Sequence, residues 1–425
     1  MHAADRLITH PAALIGFVLA ILYAWSLFRD RQKDFRPLSF KQLIRTWAPS
    51  AVVILLVIAA ASGLKDNITR VDFGMFYSSA LLLQQDPDRL YDPPTQTQYL
   101  HATTGLAGQA HFLPFAYPPF VALLFVPITA LSFRNAYYVM FALNTAIFAF
   151  TVYWIASKAR YNRDQTTTLL IAGSAALPLY AALILGHLTF LGMLFLSLFA
   201  VDWRHGGKTR TGLWAGLLLF KPTLLPIPLL LLLWKKQWKA IAAFVATTCT
   251  LLIISLALIG WDGLLKNAAM LRLMGSDYLL PMTHSLRGLA FALHLGIAVY
   301  VMMALAVVAA LWIAVVRAQN KNWTMAGAML AILLVPPYMQ YHDLAIGFIA
   351  IALALMAAES IPDITRNSLF LFVLAVFAVT FANLKTDRLF PIMPIALIVC
   401  FAFCLRKAFS DTGNKAIFLG ASHSE

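Results

Sequence analysis

The chain of 425 residues is 61% hydrophobic and only 12% charged, whereas a soluble domain carries roughly 25% charged residues. Apolar runs recur from Pro11 to Phe403 with short polar breaks, more than one water-soluble core could bury, because such cores stop growing near ~250–300 residues. The net charge of +14 is scattered through the gaps between those runs, which excludes a nucleic-acid-binding patch and fits the positive-inside bias of membrane proteins.

In chain order the apolar runs predict spans over 12–28, 48–64, 136–156, 166–185, 188–202, 211–220, 222–234, 240–260, 294–316, 323–336, 343–358, 368–383 and 389–405. The first is read as a retained span rather than a signal peptide, since Arg29-Asp30-Arg31-Gln32-Lys33 follows it and no small-residue cleavage site does. Several runs are too short to cross about 30 Å of hydrocarbon alone. The stretch 211–234 reads as a broken pair pivoting at Lys221-Pro222. The run 117–133 holds three prolines within eleven residues, which disfavours a regular helix, so it is read as lying in the outer interface. The domain division expected is an extra N-terminal span and basic loop (1–47), a catalytic core (48–260), an outer loop with C-terminal spans (261–405) and a tail (406–425).

Alternation of these spans puts 21 of the 32 basic residues on one side. Taking that side as cytoplasmic places the N-terminus outside and the C-terminus inside. Two large excursions, 65–135 and 261–293, then face outward, and function is expected there. Cys249, Cys400 and Cys404 all fall inside apolar runs without metal-ligand spacing, so they read as packing residues.

Acids are scarce: 16 Asp and 2 Glu, none in the middle of an expected span. A proton-driven transporter usually keeps an acid at that depth, so its absence weakens a transporter reading. Asp72 follows the second span closely, beside aromatic residues. It is open to two readings, a general base or the N-cap of an amphipathic stretch over 73–83. The cluster Asp86, Asp88 and Asp92 reads as a turn with capping acids, with a metal site the less favoured alternative. Gly186-His187 breaks two apolar runs. Lys221 either snorkels to the headgroups or meets an anion. In Tyr341-His342-Asp343 the His and Asp cannot face each other on an α-helix, so one is expected to reach a site while the other caps the next span.

Taken in order, VDFGMFYSSALLLQQDPDRLYD, FAYPPFVALLFVPITAL, GHLTFLGMLFLSLFA, GLLLFKPTLLPIPLLLLLWKKQWKA and YMQYHDLA resemble glycosyltransferase family 87. The resemblance covers about residues 48–400. It implies an all-α polytopic GT-C glycosyltransferase fold with about 13 spans and outward juxtamembrane helices. It also implies transfer of a hexose, mannose by the family guess, from a polyprenyl-phosphate-sugar donor to a glycolipid or glycan acceptor, with inversion, at the exterior face of the inner membrane and among membrane lipid. Asp72 matches the family's general base, Lys221 a lysine near the lipid phosphate, His342 a histidine near the site, and Tyr117 the start of a juxtamembrane helix. Tyr77 and Arg287 join the expected substrate-binding set, with Lys266 a further candidate cation. His187 joins it too, although the family pattern has Gln there. No metal ligands and no cofactor are assigned, and no nucleotide-binding loop is present. A lipid or polysaccharide flippase, or a non-catalytic membrane subunit, stands as the alternative.

Overall fold

The structure is a computed structural model that describes residues 72–105, 114–159, 169, 176–274, 280, 283–357 and 392–410. The expected spans 12–28, 48–64 and 368–383, and the first half of 166–185 apart from residue 169, lie outside the described residues. Within them every regular element is helical. In chain order these are α1 Phe73–Gln85, α2 Pro93–Thr104, α3 Pro119–Phe125, α4 Phe133–Ala159, α5 Leu177–Leu185, α6 Thr189–Arg204 and α7 Thr209–Leu217. There follow α8 Pro226–Trp234, α9 Trp238–Met274, α10 Leu286–Ala292, α11 Ile297–Arg317, α12 Lys321–Leu334, α13 Gly347–Ala357 and α14 Ile392–Ser410.

Four of the described helices, α4, α9, α11 and α14, are long and apolar enough to cross a membrane. They present bare aliphatic and aromatic side chains outward, such as Ile253 and Trp261 on α9 and Ile297, Met302 and Leu305 on α11. In water such a surface would drive aggregation; facing lipid it costs nothing. The protein is a polytopic helical membrane protein. Cys249, Cys400 and Cys404 are free thiols; Cys404 is buried and Cys400 partly so, as packing residues should be, whereas Cys249 is exposed on α9 and does not pack.

The shorter helices form the interior. On α12 every side chain from Trp323 to Leu334 is buried. The pair α7 and α9 is held by small residues: a Cβ on Gly212 would collide with the Ala240 carbonyl oxygen, and one on Gly216 would come within 2.7 Å of the Thr247 Cβ. Such spacing lets backbones touch where lipid gives no hydrophobic drive for helix association. Helix α9 breaks at Gly260, whose φ of 68° and ψ of −177° are non-helical and lie in a region that essentially only glycine occupies.

Two expectations about broken elements hold. The run 117–133 gives only the seven-residue α3 followed by a 3₁₀ segment, Val126–Ala130. The stretch 211–234 is interrupted by 3₁₀ turns Leu218–Phe220 and Pro222–Leu224 on either side of Lys221. Proline at 222 removes a backbone donor, so an unbroken helix cannot continue through the lysine.

Candidate functional site

Asp72 immediately precedes α1. Its side chain makes no capping hydrogen bond, so the N-cap reading of this residue does not describe it. The carboxylate is half-buried. Burial pushes its pKa up to about 6; the Lys221 ammonium opposes that rise and the Asp343 carboxylate adds to it. A carboxyl group with a pKa in this range can accept a proton near neutral pH.

Gly186 ends α5 in the left-handed conformation (φ 65°). A Cβ there would stand 2.8 Å from the Cβ of Phe73, so glycine allows the α5 terminus to lie against the residue next to Asp72. His187 follows. Asn144 on α4 donates to its backbone carbonyl (3.1 Å). Its Nε2 is 2.8 Å from the Tyr117 hydroxyl and its Nδ1 2.8 Å from the Thr189 hydroxyl. Its ring lies 3.8 Å from that of His342, centroid to centroid. Ligand atoms of Asp72, His187 and His342 all fall within 4.8 Å of one another.

Lys221 stands between its two 3₁₀ turns, and its ammonium donates to Asp343. Both side chains are almost fully buried. The lysine therefore does not snorkel; it meets an anion inside the protein. His342 and Asp343 belong to a 3₁₀ helix, Tyr341–Ile346, not to an α-helix, and both reach the cluster. Asp343 Oδ2 accepts the backbone N–H of Gln340 (3.2 Å). Its Oδ1 lies 3.5 Å from His342 Nε2 and receives a long hydrogen bond, also 3.5 Å, from Thr189. So Asp343 both caps its own turn and faces the site, where the sequence suggested a choice between those roles.

The segment leading into α3 is tied to this cluster through its backbone. Tyr91 donates to the carbonyl of Tyr117 (2.6 Å), and Asn267 on α9 reaches the carbonyls of Ala116 and Tyr117 (3.2 and 3.3 Å). The acids nearby have local duties: Asp86 pairs with exposed Arg89 (3.4 Å), and Asp92 caps α2 through Thr95. Lys266 donates to the carbonyl of Asp88, a tie to the turn that precedes α2. Tyr77 spends its hydroxyl on the carbonyl of Leu131 (2.7 Å), away from the cluster. Arg287 sits on α10 in the field of the Tyr300 hydroxyl.

Asp72, Tyr117, His187, Lys221 and His342, distant in sequence, are thus brought together. Sequence reasoning missed Asn144, Thr189 and His284. His284, whose backbone N–H donates to Met339, is buried within the electrostatic reach of Asp343 and His342. Nothing in their local spacing marks these three.

The three residues with convergent ligand atoms are also the set that could hold a metal ion. The surroundings fit a cation poorly. Both ring nitrogens of His187 already have partners, and the Lys221 ammonium is close enough to Asp72 to act on its titration.

The helical bundle thus gathers an ammonium, two imidazoles and an uncapped carboxylate in one place. The chain matches the model of glycosyltransferase family 87 over residues 115–339, more than half its length, and it belongs to that family; it is a membrane glycosyltransferase. The matched region contains Tyr117, His187, Lys221 and Arg287 and stops short of Asp72, His342 and Asp343. No curated protein and no solved structure matches the chain.

Proposed function

We propose that the protein takes a hexose, mannose by family resemblance, from a polyprenyl-phosphate-sugar and transfers it to a hydroxyl of a glycolipid or glycan acceptor, with inversion, on the non-cytoplasmic face of the inner membrane. The observation that carries this reading is the meeting of an uncapped, half-buried Asp72 with Lys221, His187 and His342. The acceptor oxygen forms the new bond to the anomeric carbon while the bond from that carbon to the phosphate oxygen breaks. Asp72 takes the acceptor proton. Polyprenyl monophosphate leaves, its charge stabilised by Lys221 and by a hydrogen bond from His342, while His187, both of whose ring nitrogens are engaged, orders the site around it. The GT-C architecture and the expected set of thirteen spans belong to the same reading. Its sidedness is supported by the fact that four residues assigned by span alternation to one side, Asp72, His187, Lys221 and Asp343, meet in one cluster.

Purified membranes should transfer sugar from polyprenyl-phosphate-hexose and not from a nucleotide sugar; use of the nucleotide sugar alone would overturn the donor. The raised pKa of Asp72 sets a pH dependence. A base acts only when deprotonated, so kcat/KM should be low below pH 6 and rise to a plateau above it, with the bend near 6. An ordinary aspartate would place that bend near ~4. A rate flat from pH 5 to 8 would remove Asp72 from the role.

A further inference from the structure

We propose that Asp343 is a positioning residue for the transfer reaction: it holds Lys221 and, through Thr189, His187 in a single arrangement that receives the donor's phosphate. The inference rests on the functional reading above and adds to it a residue that this reading does not use.

Lys221 has no regular helix to fix it. Its backbone (φ −133°, ψ 86°) sits between two 3₁₀ turns, and a lysine stem carries several freely rotating bonds. What pins the ammonium is Oδ1 of Asp343. Asp343 is in turn pinned by the Gln340 amide on its other oxygen and is almost fully enclosed. An ammonium held this way loses little freedom when an anion arrives, which is how a preorganised donor gains strength over a mobile one.

The second arm runs through Thr189. A hydroxyl has one proton to give. The carboxylate at 3.5 Å draws that proton toward Asp343, which leaves the hydroxyl oxygen to accept from Nδ1–H of His187 at 2.8 Å. His187 then carries its proton on Nδ1 and offers the lone pair of Nε2, which accepts the Tyr117 O–H at 2.8 Å. Asp343 thus fixes both a cation and a tautomer. One substitution there should loosen two elements that sequence places far apart, α6 and the turn between α7 and α8.

The test uses the full-length protein in detergent with polyprenyl monophosphate as probe. The probe should raise the unfolding temperature of the wild-type protein, and the concentration needed for half that rise should increase at least tenfold in Asp343→Asn. In the transfer assay, kcat/KM for the donor should fall by a similar factor, mostly in KM, with acceptor KM unchanged. A residue that merely supports the fold would lower the unfolding temperature without the probe and leave these donor constants alone. That result would overturn the proposal. If Asp343→Asn does not fold, Thr189→Val, nearly the same shape, leaves the ion pair intact and removes the bridge. It should weaken probe binding several-fold, and wild-type probe binding in that variant would sink the bridge. If the wild-type protein binds the probe but transfers no sugar from the donor, the functional reading has failed, and the probe measurements on the two variants still decide the role of Asp343.

Discussion

Asp72→Asn should insert and fold like the parent and lose transfer by roughly 10²-fold or more. Asparagine keeps the size of the side chain and much of its hydrogen bonding, and only the capacity to take a proton disappears. The alternative function for this residue is structural, as a helix cap, and there asparagine serves about as well as aspartate. The side chain makes no capping bond in any case, so little stability is at stake. Removing a half-buried carboxylate whose charged form is disfavoured by burial should, if anything, leave the fold unharmed. Rates compared at matched membrane abundance decide the matter. An Asp72→Asn protein that transfers at the wild-type rate would leave the family and the fold standing without this mechanism.

Lys221→Ala should cut kcat by about 10²–10³, the range seen when one preorganised donor to a developing anion is removed. This variant has a second effect that must be separated from the first. It strands Asp343 as a buried charge without its partner, a change that typically costs about 3–5 kcal/mol of stability. Pairing Lys221→Met with Asp343→Asn removes both charges together and should recover most of that stability, since apolar or neutral replacements of a buried pair are often tolerated. The double variant should therefore be abundant and thermally sound, yet inactive. Recovery of transfer along with stability would show that Lys221 serves the fold alone.

Much of this arrangement was legible in the sequence, and the reasons differ by residue. Lys221-Pro222 announces itself because a proline beside a lysine inside an apolar run must break the helix there; the two 3₁₀ turns follow. The prolines of 117–133 forecast the short α3 in the same way. Span counting is harder. Hydropathy does not separate a helix that faces lipid, such as α11, from one sealed inside the bundle, such as α12, since both are apolar all round. Asp343 was underrated because the spacing argument assumed an α-helix, whereas a 3₁₀ helix carries His342 and Asp343 and partners from other elements come to each. Arg287 is expected as a further cation for the leaving phosphate, and Tyr77 as a substrate-binding residue. The Tyr77 hydroxyl turns to the Leu131 carbonyl instead. His284 has no sequence signal at all; only the fold brings it beside Asp343.

The break in α9 comes after one membrane's length of helix. From Trp238 to Ile259 the helix rises about 33 Å at 1.5 Å per residue, close to the ~30 Å thickness of the hydrocarbon layer. The helix therefore breaks at Gly260 after a length that matches one crossing of the hydrocarbon layer. Asn267, seven positions further on, grips the carbonyl of Tyr117, whose hydroxyl holds His187. The cluster is thus tied, through Tyr117, to the segment that follows this break. Under the proposed function, a site tied to the end of one membrane-length of helix suits a donor whose isoprenoid tail stays in the bilayer while its phosphate reacts.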